Sequence, residues 1–494
     1  MLLTPILVVP AAAAAACLLA RSRRVMGWVN ILAFGITLAL GLQVLHEVLA
    51  REDHVVMECG EFFRADALSV WMVLLISVVS LGTALYSGGY FRRDLAAGAV
   101  TPGRVKEFFV LTPLFAAGMF LVVLANNLGV MWFALEATAL SSVLLVALYN
   151  RGTALEAAWK YVILGSLGLA LALFGTVFTY AAAIDNTSPT TLPSFNWSHL
   201  MSVAGQLDHR MIKLAFVFVF IGYGTKAGLA PMHTWLPDAH SEAPSPTSAM
   251  LSGVSLKVAL YALLRFHILT TACLGSPFSR TMLLVFGLGS MCLAAPFILV
   301  QTNLKRLLAY SSLEHIGLIC AGIGLNSPIT IFGALLHMGY HALTKPVLFF
   351  AAGNIHQKCH TLQMRLIGPG IAKVLPLTAL CMGLAGMAAM GLPPFGLFFS
   401  ELTVLNGGFA AGHIGVSALV LAALLASFCG ILYQLTRILL GVPKVVRLGE
   451  AGRWNGLPAM VLMLGALLVF SVWLPGPLLD VMRKAAAIIG GGSQ

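Results

Sequence analysis

The chain has 494 residues, of which 59% are hydrophobic and 10% charged, with a formal net charge of +11. A water-soluble core cannot hide that much apolar surface, so the composition excludes a soluble globular protein and fits an integral membrane one. The positive charge does not point to nucleic acid, because the basic residues fall mostly in short segments between apolar runs, as in cytoplasmic loops.

Crossing roughly 30 Å of hydrocarbon takes about 20 apolar residues. Runs of this kind predict about fourteen helices, at 3–20, 26–48, 66–89, 108–125, 128–149, 158–182, 211–230, 247–272, 281–301, 305–325, 329–352, 371–409 (interrupted), 414–440 and 456–474. Each run is apolar throughout, without the alternation of a lipid-facing barrel strand, so the fold class is all-α and polytopic. The first run has no basic lead and is followed at once by RSRR, which reads as an uncleaved span. Loops after the odd-numbered spans hold roughly 18 Lys and Arg against about 7 on the other side, which predicts both termini facing away from the cytoplasm.

The eight cysteines form no C-x-x-C pair, and neither a Walker A loop nor a G-x-G-x-x-G turn occurs. No cofactor, cluster or metal is therefore expected within this chain, and its energy source is expected in a partner.

Charged groups inside the spans are costly unless they face a polar interior, so they mark function by default. Lys226, Lys257 and Lys345 are such groups, and so are Glu136, Glu314 with its neighbour His315, and Glu401. Each alone could be a satisfied helix–helix partner; together they read as a proton relay. Arg265 lies near a helix end and is expected to snorkel, in a structural role. His337, His341 and Lys345 recur at i, i+4 and i+8, on one helix face, as a proton wire would. Two haem ligands must come from opposite sides of the iron, which argues against histidines four apart on one helix, and the lysine argues against zinc.

The span at 211–230 should break near AGLAPMHTW, after Lys226, and a second break is expected at MGLPPFGLFFSE, before Glu401. Broken helices beside ionisable residues mark ion paths. Their spacing of about five spans suggests an internal repeat, inverted because the unit is odd. His233, Asp238, His240 and Glu242 follow the first break in a loop without Lys or Arg, readable as an acidic proton-collecting mouth or as a solvated capped loop.

The stretch GYGTKAGLAPMHTWLPDAHSEAPSPTSAMLSG, then SLKVALY, LKRLLAYSSLEHIG, HMGYHALTKPVLFFAAG and GLPPFGLFFSEL, resembles the antiporter-like subunits of respiratory complex I, Mrp sodium/proton antiporters and group 4 hydrogenases. The resemblance covers nearly the whole chain and is strongest to the F-type subunits of hydrogenase-4 and formate hydrogenlyase-type complexes. It implies a single membrane domain over 1–494, with five-helix repeats at 107–272 and 280–440 in inverted orientation and flanking helices at 1–90 and 455–475. It also implies a proton path in which Glu136 pairs with Lys226, Lys257 is central, His337, His341 and Lys345 follow, and Glu401 is terminal. Many family members have lysine at this last position. No lateral helix is expected beyond the last span. The implied setting is a bacterial or archaeal cell membrane. The implied partners are other membrane subunits and, through them, a peripheral redox arm, with protons or also Na⁺ as the ion and no nucleic acid. A stand-alone Mrp-type antiporter or an ion-coupled carbon-uptake complex is the alternative.

Overall fold

The computed structural model describes residues 1–184, 195–275, 277–443 and 456–491. Part of the basic loop, with Lys444, Arg447 and Arg453, lies outside the described residues. The fold is almost wholly helical, and each of the fourteen apolar segments is helical. The first group is α1 (Leu3–Leu19), α2 (Arg23–Ala50), α3 (Ala67–Ala96), α4 (Pro102–Leu124), α5 (Leu128–Val146) and α6 (Gly152–Ile184). Then come α7 (Trp197–Ser202), α8 (His209–Ala227), α9 (Trp235–Glu242), α10 (Ser245–Met250), α11 (Leu256–Leu274), α12 (Phe278–Val300), α13 (Leu304–Gly324) and α14 (Pro328–Cys359). The last group is α15 (Met364–Ile367), α16 (Ile371–Val374), α17 (Pro376–Ala389), α18 (Gly396–Ala410), α19 (Ile414–Leu439), α20 (Leu457–Val472) and α21 (Gly476–Gly490). Among the described residues, nine helices are long and apolar enough to cross a membrane, and the pair α20 and α21, bent by 76°, makes a tenth. Length and apolarity alone thus do not reach fourteen: α1 and α17 are short, and α8 and α14 carry the buried cations of the site.

Small residues let the helices approach closely, as van der Waals packing in a bilayer requires. A Cβ added to Gly287 of α12 would lie 2.7 Å from the Gly317 carbonyl of α13, so these helices touch backbone to backbone.

Both expected breaks are present. Helix α8 stops at Gly228, whose φ of 78° lies where glycine is favoured, and the Gly228 N–H closes the last turn onto the Gly224 and Thr225 carbonyls. The chain passes a cis Ala230–Pro231 bond before α9. Between α17 and α18 it turns at Gly391 and a cis Pro393–Pro394 bond.

Three features depart from the sequence reading. Arg265 does not snorkel: it is buried and donates to both carboxylate oxygens of buried Asp66 at 2.7 Å, to Ser69 Oγ at 2.9 Å and to Tyr261 OH at 2.9 Å. A buried Asp partner outcompetes a climb to the interface because it satisfies the guanidinium fork bidentately. A short antiparallel hairpin, β1 (Val56–Glu58) and β2 (Phe63–Ala65), joins α2 to α3. Its Glu58 accepts from the backbone N–H groups of Leu2, Leu3 and Thr4 and from Thr4 Oγ1, capping the start of α1. Burial pushes this carboxyl up, but those donors together hold it below the ordinary glutamate range. The amphipathic α21 packs its Val481, Met482, Ala485 and Ile489 face inward and was not expected beyond the last apolar run.

Candidate functional site

Lys226 ends α8 just before the break and is 1% exposed. Its Nζ donates to Tyr161 OH at 2.5 Å and lies 4.5 Å from the centre of that ring. Tyr161 also shares a 2.8 Å hydrogen bond with Ser142 Oγ and stacks on Trp235 with ring centres 4.5 Å apart. Trp235 Nε1 donates to the Thr225 carbonyl at 2.8 Å, so the residue that opens α9 satisfies a backbone group freed by the break. Glu136 is half-buried on α5, and no Lys, Arg or His nitrogen lies within 4.0 Å of its carboxylate among the described residues. The expected Glu136–Lys226 pair is therefore open, with the tyrosine holding the lysine. Nothing in the sequence singled out Tyr161, since an aromatic hydroxyl reads as part of an apolar run.

A second deviation positions Lys257. Between α10 and α11 the helix widens into a π-turn over Leu251–Ser255. Such turns shift carbonyls out of the regular ladder, and here Ser252 O, at 3.2 Å, and Gly253 O both accept from Lys257 Nζ. The same Nζ lies 2.8 Å from His341 Nδ1.

From His341 the connection does not run along α14 as expected. The rings of His337 and His341 are 6.5 Å apart, because four residues of helix rise separate them. His315 of α13 fills that gap: its ring centre is 4.9 Å from His341, and its Nδ1 is 2.9 Å from His337 Nε2. His337 Nδ1 then meets Ser400 Oγ at 2.9 Å, one residue before Glu401. The structure thus makes the row Lys257, His341, His315, His337, Ser400 and places His315 within it. Lys345 stands beside the row, its Nζ donating to Ser311 Oγ at 2.7 Å and to the Leu308 carbonyl at 3.2 Å. Glu314 lies 3.5 Å from His315 Nδ1 through one oxygen, and its other oxygen has no partner among the described residues. Glu401 is tucked under Gly391, where a Cβ would strike the carboxylate.

The residues after the break have mixed surroundings. Asp238 is not in a purely acidic mouth: Lys160, at 3.2 Å, and Arg306, at 2.7 Å, come in from α6 and α13 and pair with it. Glu242 accepts from Thr153 Oγ1 at 2.8 Å. His233 is 7% exposed, and His240 is wholly buried, stacked on Phe349, with both ring nitrogens lacking a partner among the described residues. The sequence did not single out Lys305. It is 2% exposed, and its Nζ donates to the Ala243 carbonyl at 2.7 Å.

His315, His337 and Glu401 have donor atoms within 4.8 Å of one another, a spacing that could hold a cation. Lys257 lies against His341 beside that cluster, and when protonated its charge would repel a divalent ion there.

Residues 125–426, more than half of the chain, match the family described as NADH:quinone oxidoreductase/Mrp antiporter, TM. A hydrogenase-4 component F homolog from Methylacidiphilum infernorum is 38% identical over 385 residues, covering 78% of this chain and 80% of the relative. The NADH-quinone oxidoreductase subunit N of Desulforudis audaxviator is 31% identical over 366 residues, covering 73% and 70%. Among solved structures, the chain superposes on one from an archaeal membrane-bound sulfane sulfur reductase with a TM-score of 0.85 at 22% identity, covering 99% and 96%. It also superposes on one from the Mrp complex of a Dietzia species with a TM-score of 0.84 at 21% identity, covering 98% and 96%. With its family match running from before Glu136 past Glu401, the chain belongs to the NADH:quinone oxidoreductase/Mrp antiporter family of membrane subunits.

Proposed function

We propose that this chain is the proton-translocating membrane subunit of a multisubunit redox complex, of the NADH:quinone oxidoreductase or group 4 hydrogenase type. The observation that carries this reading is the row Lys257, His341, His315, His337 and Ser400. Three of its links are hydrogen bonds of 2.8–2.9 Å, and a contact between imidazole rings makes the fourth. Imidazoles accept a proton on one nitrogen and release it from the other, and in this reading the row carries protons when the His341 and His315 rings, whose Nε2 atoms have no partner among the described residues, turn toward each other.

In this reading Lys226 is the switch. Held on Tyr161 it is away from Glu136; swung to Glu136 it changes the field felt by Lys257. At about 4 Å and an effective dielectric near 20, that pairing is worth roughly 4 kcal/mol, enough to drive a proton step. Protons then pass along the row to Glu401 and leave, with Glu314 and Lys345 tuning the row from its flank. His233, Asp238, His240 and Glu242 form the intake end.

The layout proposed around this path is a single membrane domain of fourteen crossings. Inverted five-helix repeats lie at 107–272 and 280–440, and both termini lie outside the cytoplasm in a bacterial or archaeal cell membrane. The basic-loop count and the two helix breaks support it. The chain works with neighbouring membrane subunits and, through them, with a peripheral redox arm.

The test is proton uptake by inside-out vesicles holding the native complex, wild type against Lys226→Ala, with electron donor supplied and Na⁺ varied. Donor-driven acidification that is lost in the variant supports a redox-driven pump. Donor-independent, Na⁺-dependent exchange would instead assign the chain to an antiporter.

A further inference from the structure

A cavity of about 860 Å³ opens where α12 and α19 end, walled by the segment from Met364 to Pro369. Two guanidinium groups, Arg365 and Arg437, line it. Among the described residues no carboxylate lies within 4.0 Å of either, whereas Arg51, Arg104, Arg306 and Arg483 each have such a partner. Arg437 is held by Tyr433, with its Cζ 5.0 Å from the ring centre and NH1 3.3 Å from the hydroxyl. The Gln434 amide donates to the Leu299 and Gln301 carbonyls at 2.9 and 3.1 Å, so it stiffens the wall and its own donors are occupied. The rim is the opposite in character: Leu299, Val300, Tyr433 and Leu440 are all exposed, Val300 at 69% and Leu440 at 63%.

We infer that this cavity binds the headgroup of an anionic phospholipid, with the phosphate on Arg365 and Arg437 and the acyl chains leaving over the apolar rim. Two unpaired cations beside apolar residues that end transmembrane helices give the two-part chemistry of a lipid at the membrane surface. A guanidinium binds phosphate through paired N–H groups. Basic pockets between helix ends on the cytoplasmic side recognise anionic headgroups in this way. The loop count places this end of the bundle on that side, and Tyr433 supplies the aromatic that commonly marks the interface. A free phosphate would use the arginines but leave the exposed rim without a role. The acidic surface of a neighbouring subunit would fit the arginines but not the depth of the cavity.

The experiment uses the intact purified complex, reconstituted in nanodiscs with photoactivatable phosphatidylglycerol or, in parallel, photoactivatable phosphatidylcholine. Labelled peptides are mapped by mass spectrometry for the wild type, Arg365→Gln, Arg437→Gln and the double variant. The expected result is phosphatidylglycerol labelling at residues 299–302 and 433–440. Affinity should fall about fivefold for each arginine removed, with phosphatidylcholine labelling weak throughout. Labelling that is equal for both lipids, or unchanged in the double variant, overturns the inference. So does a Leu440→Cys crosslink to another subunit in place of lipid labelling, which would make the groove a protein interface. Because lipid labelling is read without turnover, failure here is separable from failure of the proton-path reading.

Discussion

Tyr161→Phe tests the switch at the point where its balance is set. In the structure the Lys226 ammonium rests on one hydroxyl at 2.5 Å and on the ring face at 4.5 Å. A hydrogen bond to a charged group contributes about 1.5–3 kcal/mol, and a desolvated cation–π contact roughly 0.5–2 kcal/mol. Their sum is comparable to the roughly 4 kcal/mol of a Glu136–Lys226 pair at an effective dielectric near 20. Near-equal alternatives are what a two-position switch requires, because neither state then traps the lysine. Removing only the hydroxyl tilts the balance toward Glu136 by roughly ten- to a hundredfold. Proton uptake per donor oxidised, measured in inside-out vesicles, should then fall at least about tenfold. The Ser142→Ala variant removes a second-rank partner of the same hydroxyl and should cost only severalfold. Wild-type uptake in Tyr161→Phe, or a larger loss in Ser142→Ala than in Tyr161→Phe, would refute the reasoning.

Other outcomes follow from the buried pairs and the caps. Arg265→Leu leaves the Asp66 carboxylate buried without its bidentate partner and should destabilise the subunit by about 3–5 kcal/mol. Thermal unfolding of the purified complex reads this, and the double variant Arg265→Leu/Asp66→Leu should recover only part of the loss, because it also takes from buried Arg64 its carboxylate at 3.6 Å and from Ser69 N–H its cap. Glu58 is held below its ordinary range in the folded chain, so its contribution is present above the unfolded value, near about 4.3, and is lost as pH falls through the lower folded one. Protection of the Leu2, Leu3 and Thr4 amides, taken relative to their intrinsic exchange rate at each pH, should be high at neutral pH and fall under acid, and Glu58→Gln should lower it at neutral pH but not below the folded value. Lys257→Met removes the amine at the His341 end of the row and should abolish uptake while leaving the complex assembled, as judged by size-exclusion chromatography.

Much of the architecture is legible because lipid imposes it. Uninterrupted apolar runs, proline and glycine at Gly228, Pro231, Pro393 and Pro394, and charges at Lys226, Lys257 and Glu401 leave few other readings. The pairing of those groups is not legible, since it depends on which helices pack together. His315 entered the sequence reading only as the neighbour of Glu314, because its partners are 22 and 26 positions away on another helix, yet it bridges His341 and His337. Tyr161 was invisible because its ring suits an apolar span while its hydroxyl meets Lys226 only after α6 and α8 pack. Arg265 looked able to reach the interface, and only the fold shows Asp66 waiting 199 positions earlier. Lys305 sits in a basic stretch that elsewhere means loop, and α21 carries Asp480, Arg483 and Lys484, which hide its apolar face from any search for uniform runs.

The most direct measurement of the central claim is donor-driven proton uptake by inside-out vesicles containing the His315→Leu complex. Leucine keeps bulk between His341 and His337 but carries no proton, and the two remaining rings are 6.5 Å apart. The account predicts that uptake per donor oxidised collapses while the complex stays assembled. Uptake equal to wild type would mean that protons do not travel through this row.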